Sequence, residues 1–181
     1  MAQGIVESSN QGNESQQQSG GGISRSKLVQ RLLATGSNLP AFVNDLIHTQ
    51  AVVVAGTEAA GFLVERGQDE KGEAQLGLRP IAHIRPDNSS AETRQAAIQA
   101  FQGLVGRCVA EGKDGALEVG ASDGSNDAQF CLVTLLRNEG EVVAASAVIT
   151  RCRDVERAQQ RLTSMQLVAG YFDLYTLKRT S

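Results

Sequence analysis

The chain has 181 residues, a formal charge of −3 at pH 7 and only 4% aromatic residues, with no Trp. That length suits one domain with tails, and the acidic balance without a basic stripe excludes the electrostatic footprint of a nucleic-acid binder. Apolar runs as short as 51–55 and 142–149 fall far below the ~20 residues of a membrane helix. The N-terminus shows no basic region followed by an apolar stretch, so no secretory leader is read there. Cys108, Cys131 and Cys152 form an odd set without a CxxC pair, which predicts reduced thiols and a cytoplasmic setting. His48 and His83 lack ligands at zinc spacing, so neither a metal nor a cofactor is expected.

In chain order, residues 8–22 contain no apolar side chain and cannot offset the entropy cost of ordering, so 1–22 reads as a disordered Gln/Ser/Gly-rich tail. Leu28, Val29, Leu32 and Leu33 recur at helical spacing before Gly36, predicting a helix within 23–36. A second helix is predicted over 39–54, with Asn38 or Ser37 at its cap and Pro40 in its first turn. Two strands follow, 59–67 and 75–86. Pro80 interrupts the second and lacks an amide donor, so it belongs at an edge or a bulge. A capping-box start at Ser89 or Ser90 opens a helix that Gly112 ends. After a short strand at 115–120, Asn138-Glu139-Gly140 marks a hairpin between two more strands. The final helix is predicted over 153–179.

The strand runs 130–136 and 142–149 are apolar at consecutive positions rather than alternating. Such strands need cover on both faces of their sheet. The predicted class is therefore α+β, with helices on both faces of a mostly antiparallel sheet.

The stretch GLVGRCVAEGKDGALEVG (103–120) tests for a phosphate loop and fails. The glycine required five positions before Gly112-Lys113 is Arg107, and Asp114 stands where a Ser or Thr must bind magnesium. Gly103 and Gly106 instead share one helix face, which predicts a helix pressed closely on its sheet. Cys108 among them reads as packing.

"GLVGRCVAEGK" followed by a short strand resembles the central helix of GAF domains, and "FCLVTLLRNEGEVVAASAVITR" resembles their strand, tight turn and strand. "AVVVAGTEAAGFLVERG" and "VERAQQRLTSMQLVAGYFDLY" are similar to the first helix running into the first strand and to the C-terminal helix. The resemblance covers about 39–179 and implies a GAF-like domain over 37–181. It implies a central antiparallel sheet of about five or six strands, helices 39–54 and 153–179 on one face, and a ligand pocket on the other. The chain lacks the Asn-Lys pair of cyclic-nucleotide binders and the Cys-His pair of bilin binders.

The resemblance implies a pocket wall that draws on strands 75–86 and 128–136 and helix 87–112. His83, Arg85, Arg94, Phe101, Phe130 and Thr134 are the expected ligand-binding residues, Arg85 and Arg94 toward an anionic ligand. The last helix carries two stripes, and the second suggests a partner helix from another copy. Leu162, Met165, Leu167, Tyr171 and Leu174 are the expected dimer interface.

The function expected is a non-catalytic regulatory module, sensing a small molecule or dimerising within a larger signalling or transport protein. Sequences of this kind also resemble GAF modules placed ahead of membrane-anchored efflux or secretion adaptors. A small redox enzyme similar to the free-methionine-sulfoxide reductases is an alternative, and a GAF fold with a collapsed pocket used for assembly is another.

Overall fold

The computed structural model describes residues 38–121 and 126–171. The predicted tail 1–22, the predicted helix within 23–36, Leu174 and the part of the predicted final helix beyond 171 lie outside the described residues. Eight elements follow in order: α1 (Leu39–Val53), β1 (Glu58–Gln68), β2 (Ala74–Ile84), α2 (Ala91–Glu111), β3 (Gly115–Ala121), β4 (Ala128–Asn138), β5 (Glu141–Cys152) and α3 (Val155–Ala169). The strands form one sheet in the order β2-β1-β5-β4-β3, and every neighbouring pair is antiparallel.

Local chemistry sets the boundaries. Asn38 caps α1 by accepting from the Ala41 amide, with Pro40 in the first turn. Ser90 caps α2 through the Thr93 amide, and Gly112 ends it at φ +66°, a left-handed conformation that costs glycine nothing. Asp154 caps α3 through the Arg157 amide. Glu139 and Gly140 both take positive φ between β4 and β5, the twist-matched two-residue hairpin. Pro80 meets both of its expected conditions. It lies on edge strand β2, and the register jumps from Gly61↔Ala82 to Phe62↔Pro80, which leaves Ile81 as the bulged residue.

Side chains alternate between the two faces of the sheet. Phe130, Leu132, Leu136, Ala144 and Val148 join Phe42, Val43, Leu46, Ile47, Leu162 and Met165 in one core beneath α1 and α3. Cys131, Val133, Leu135, Ala145 and Ala147 join Ala60, Phe62, Phe101, Val105 and Cys108 in a second core beneath α2. The double cover explains the unbroken apolar runs of β4 and β5.

The two covers differ in closeness. A Cβ on Gly61 would stand 2.6 Å from Val43 Cγ1, and one on Gly56 would stand 2.3 Å from Val148 Cγ1. These glycines let α1 approach the sheet. The expected role of Gly103 and Gly106 is corrected. A Cβ on Gly103 would meet nothing within 4 Å, and one on Gly106 would meet only Leu78, at 3.9 Å. Both lie off the seam of α2, because Phe101, Val105 and Cys108 already occupy the buried stripe.

Candidate functional site

The expected ligand residues divide between the two faces. His83, Arg85, Arg94 and Phe101 gather at one end of the α2 side. Phe130 and Thr134 lie on the opposite face, under α1 and α3. This corrects their assignment to a common pocket. Strand β4 alternates, so only Cys131, Val133 and Leu135 face α2.

At the α2-side cluster, His83 Nε2 lies 2.9 Å from Glu58 Oε2, with the His83 side chain 8% exposed. An ionised Glu58 only accepts hydrogen bonds, so Nε2 carries the proton in this pair. Arg85 reaches the same oxygen at 3.5 Å and places its Nε 2.9 Å from Asp87 Oδ1. Ser89 donates to that Asp87 oxygen, and Arg94 donates to the Asp87 carbonyl at 3.3 Å. The ring of Phe101 meets His83 edge-on, with centroids 6.1 Å apart and planes at 74°.

The cluster balances its own charge. The Ser89 hydrogen bond, then Arg85, hold the Asp87 carboxyl below its ordinary range. The hydrogen bond to Asp87 raises the already high pKa of Arg85, with Glu58 adding to it. Arg85 is therefore spent on Glu58 and Asp87, and Arg94 is tied to a backbone carbonyl. Arg85 thus has two carboxylate partners where an anionic ligand was expected, while Arg94 is oriented by a neutral oxygen. The arrangement fixes an imidazole at the rim of the α2 face and joins β1, β2 and the loop into α2.

Glu58 and Asp87 are the members that sequence reading missed. Glu58 stands alone as a charge at the head of the apolar run 59–64, a signal that a buried partner would answer. Asp87 follows Pro86 two residues after Arg85, within reach of its guanidinium.

The three thiols sit in the cores, all buried. Burial pushes the Cys131 thiol up to about 12. Burial, then Glu111 and Asp114, raise Cys108. Burial also raises Cys152, with Arg161 and Arg157 opposing it. A thiolate is the nucleophile in thiol chemistry, and these surroundings disfavour it.

The opposite face holds a buried polar clasp. Gln50 Nε2 donates to Thr134 Oγ1 at 3.0 Å and to the Met165 carbonyl at 3.1 Å. Thr134 and Ser146 share a further hydrogen bond of 2.5 Å. All three side chains are buried, and among the described residues Gln50 Oε1 is a buried oxygen without a hydrogen-bond partner. Thr150 donates to the Val54 carbonyl and receives a bond from Arg161. Position 50 thus meets 165 and position 54 meets the region of 161, so α1 and α3 run in opposite directions.

The expected dimer residues also divide. Leu162 and Met165 are 5% and 0% exposed and pack inward, so they are corrected to core residues of their own chain. Tyr171 packs against the same core. Leu167 is 64% exposed.

No family model matches the sequence, and no curated protein matches it. Solved structures do match. The chain is similar to the Nlh2 GAF domain of A. Aeolicus in an inactive state, with a TM-score of 0.55 and 10% identity over 85% of this chain and 93% of that one. It is also similar to the GAF domain of the Acinetobacter phosphoenolpyruvate-protein phosphotransferase, with a TM-score of 0.46 and 15% identity over 82% and 89%. The fold is that of a GAF domain, reached by a divergent sequence.

Proposed function

We propose that the chain is a non-catalytic regulatory module of the GAF type, acting in the cytoplasm within a larger signalling or transport protein. The observation that carries this reading is the α1–α3 layer. The two helices lie side by side on one sheet face, held by the Gln50 clasp to Thr134 and Met165. The polypeptide enters the described domain through α1 and leaves it through α3. A ligand that repacks the sheet from the α2 side changes what these two helices pass to their flanking segments, by shifting the populations of two packings. The A. Aeolicus GAF domain that shares this fold was crystallised in an inactive state.

The raised thiols speak against the redox-enzyme reading, since Cys131 is held neutral at physiological pH. Homodimerisation through the outer surface of the α1–α3 layer belongs to the same proposal. Val52, Val155 and Leu167 are 63%, 54% and 64% exposed there, and they replace Leu162 and Met165 as contact residues.

The test is a thermal-shift screen against nucleotides, amino acids and tetrapyrroles. A saturating ligand at 100 times its Kd adds about 2.7 kcal/mol. The Cys108→Ala, Cys131→Ala, Cys152→Ala protein should retain any such response. Turnover that vanishes in that variant would sink the non-catalytic reading. Light scattering across a concentration series should give twice the chain mass, reduced to one chain by Leu167→Glu with Val52→Glu. A single-chain mass at high concentration removes the dimer.

A second reading, assembly without a ligand, is favoured by the apolar filling beneath α2. Phe62, Phe101, Val105 and Val133 occupy the space there as one packed cluster. A dimer that responds to none of the screened ligands decides for it.

A further inference from the structure

The start of α3 forms one wall of a cleft of about 540 Å³ at the end of β5, a volume within the roughly 300–1,000 Å³ of small-molecule sites. Four arginines fall within eleven residues here, Arg151, Arg153, Arg157 and Arg161, and all four line the cleft. In sequence the intervening Asp154 and Glu156 mask them as ordinary mixed charge. In space Arg153, Arg157 and Arg161 repeat every four residues and follow one side of the helix and its lead-in.

Two of the guanidinium groups are held in place by neutral oxygens. Arg161 donates to the Arg151 carbonyl at 2.9 Å and to Thr150 Oγ1. Arg157 donates to Gln160 Oε1 at 3.0 Å. Arg79 and Arg85, by contrast, each sit 2.9 Å from a carboxylate. Arg157 and Arg161 are thus oriented but not neutralised by these contacts. Their field reaches Cys152, where Arg161 and Arg157 oppose the upward push of burial.

We propose that this cleft binds a small, multiply charged oxyanion through Arg153, Arg157 and Arg161. A guanidinium presents paired N–H donors that match phosphate or carboxylate oxygens. The cleft wall also carries Asp127, Asp154 and Glu156, so a singly charged anion gains little there and a ligand with two or more charged groups gains most. Among the described residues no aromatic side chain lines the cleft, which leaves a nucleobase without a stacking platform from them. The site does not rest on the helix N-terminus, since the Asp154 carboxylate already accepts from the Arg157 amide. The proposal goes beyond the regulatory reading and does not depend on it.

The test is calorimetric titration of the 181-residue chain at low ionic strength with pyrophosphate, citrate and orthophosphate in turn. Pyrophosphate or citrate should bind at one site per chain, with orthophosphate at least ~10-fold weaker. Binding of pyrophosphate alone identifies a phosphate ligand, and binding of citrate alone a polycarboxylate. Arg153→Glu and Arg157→Glu should each weaken binding by at least ~10-fold, since each removes a charge-assisted contact and adds repulsion. Arg161→Lys, which keeps the charge but loses the fork, should fall between these and the unaltered chain. Arg79→Glu, away from the cleft, should leave binding unchanged. Arg153 is exposed and precedes the helix, so its variant reports on the site even where Arg157→Glu impairs folding. Absence of saturable binding by both pyrophosphate and citrate overturns the proposal, as does binding that survives Arg153→Glu undiminished.

Discussion

The two faces of the sheet are built on different terms. Under α1 and α3 the cover is close and includes buried polar bonds, with α1 pressed against Gly61 and Gly56 and Gln50 clasped to Thr134 and Met165. Under α2 the contact is an apolar stripe of Phe101, Val105 and Cys108, with a charge-balanced cluster at one end and the glycines of α2 off the seam. A glycine stabilises a packed helix only where a neighbour fills the space its missing side chain leaves, and position within a repeat does not reveal that. In the regulatory reading proposed above, the tight layer is the part that would transmit a change and the single helix the cover a ligand would shift.

Variants can break or sharpen that contrast. The largest effect is expected from Phe130→Ala, which empties a fully enclosed site beneath two helices. It should cost about 4 kcal/mol in denaturant unfolding, within the range for buried Phe truncations. Next comes Gly61→Val, whose new side chain meets Val43 at a distance no carbon tolerates. It should lose about 3 kcal/mol by overpacking. A neutral result would show that α1 can lift from the sheet.

The clasp is tested by a pair. Gln50→Ala leaves a cavity and should cost about 2 kcal/mol. Gln50→Leu fills most of that space and removes the unpartnered oxygen, so it should stay within about 1 kcal/mol of the parent. Equal losses would mean that the polar bonds, and not the volume, hold α1 to α3. On the other face, Gly103→Ala should raise stability by about 0.5–1 kcal/mol, since the site is open and alanine favours the helix. A loss there would restore the close packing that the sequence suggested.

The smallest effect concerns pH. Asp87 is held below the ordinary carboxylate range when folded. Its contribution is therefore fully present above its unfolded pKa and fades as pH falls through the lowered folded value. Asp87→Asn should melt slightly below the parent near neutrality and converge with it under strong acid. A gap that widens on acidification would contradict the charge-balanced cluster.

Much of the fold was legible in the sequence. The caps within Ser37-Asn38 and Ser89-Ser90, the stop at Gly112, the hairpin at Glu139-Gly140 and the edge or bulge at Pro80 each express the conformational limits of one residue and its neighbours. The continuous apolar runs of β4 and β5 announced a sheet covered twice. The candidate site was half legible. His83, Arg85, Arg94 and Phe101 do meet. Phe130 and Thr134 were assigned with them because the phase of a strand apolar on both faces cannot be read from its residues. Glu58 lies 25 positions from His83, beyond any local pattern.

The sequence by itself determined the element order, the turns and the class, because backbone preference and hydrophobic period act over a few residues. Only the tertiary structure decided which face each side chain serves, which glycines permit close approach, which arginines pair with carboxylates and which line a cleft. Those outcomes depend on neighbours brought together across the sheet, where desolvation and paired charge act over ångströms in space irrespective of separation along the chain.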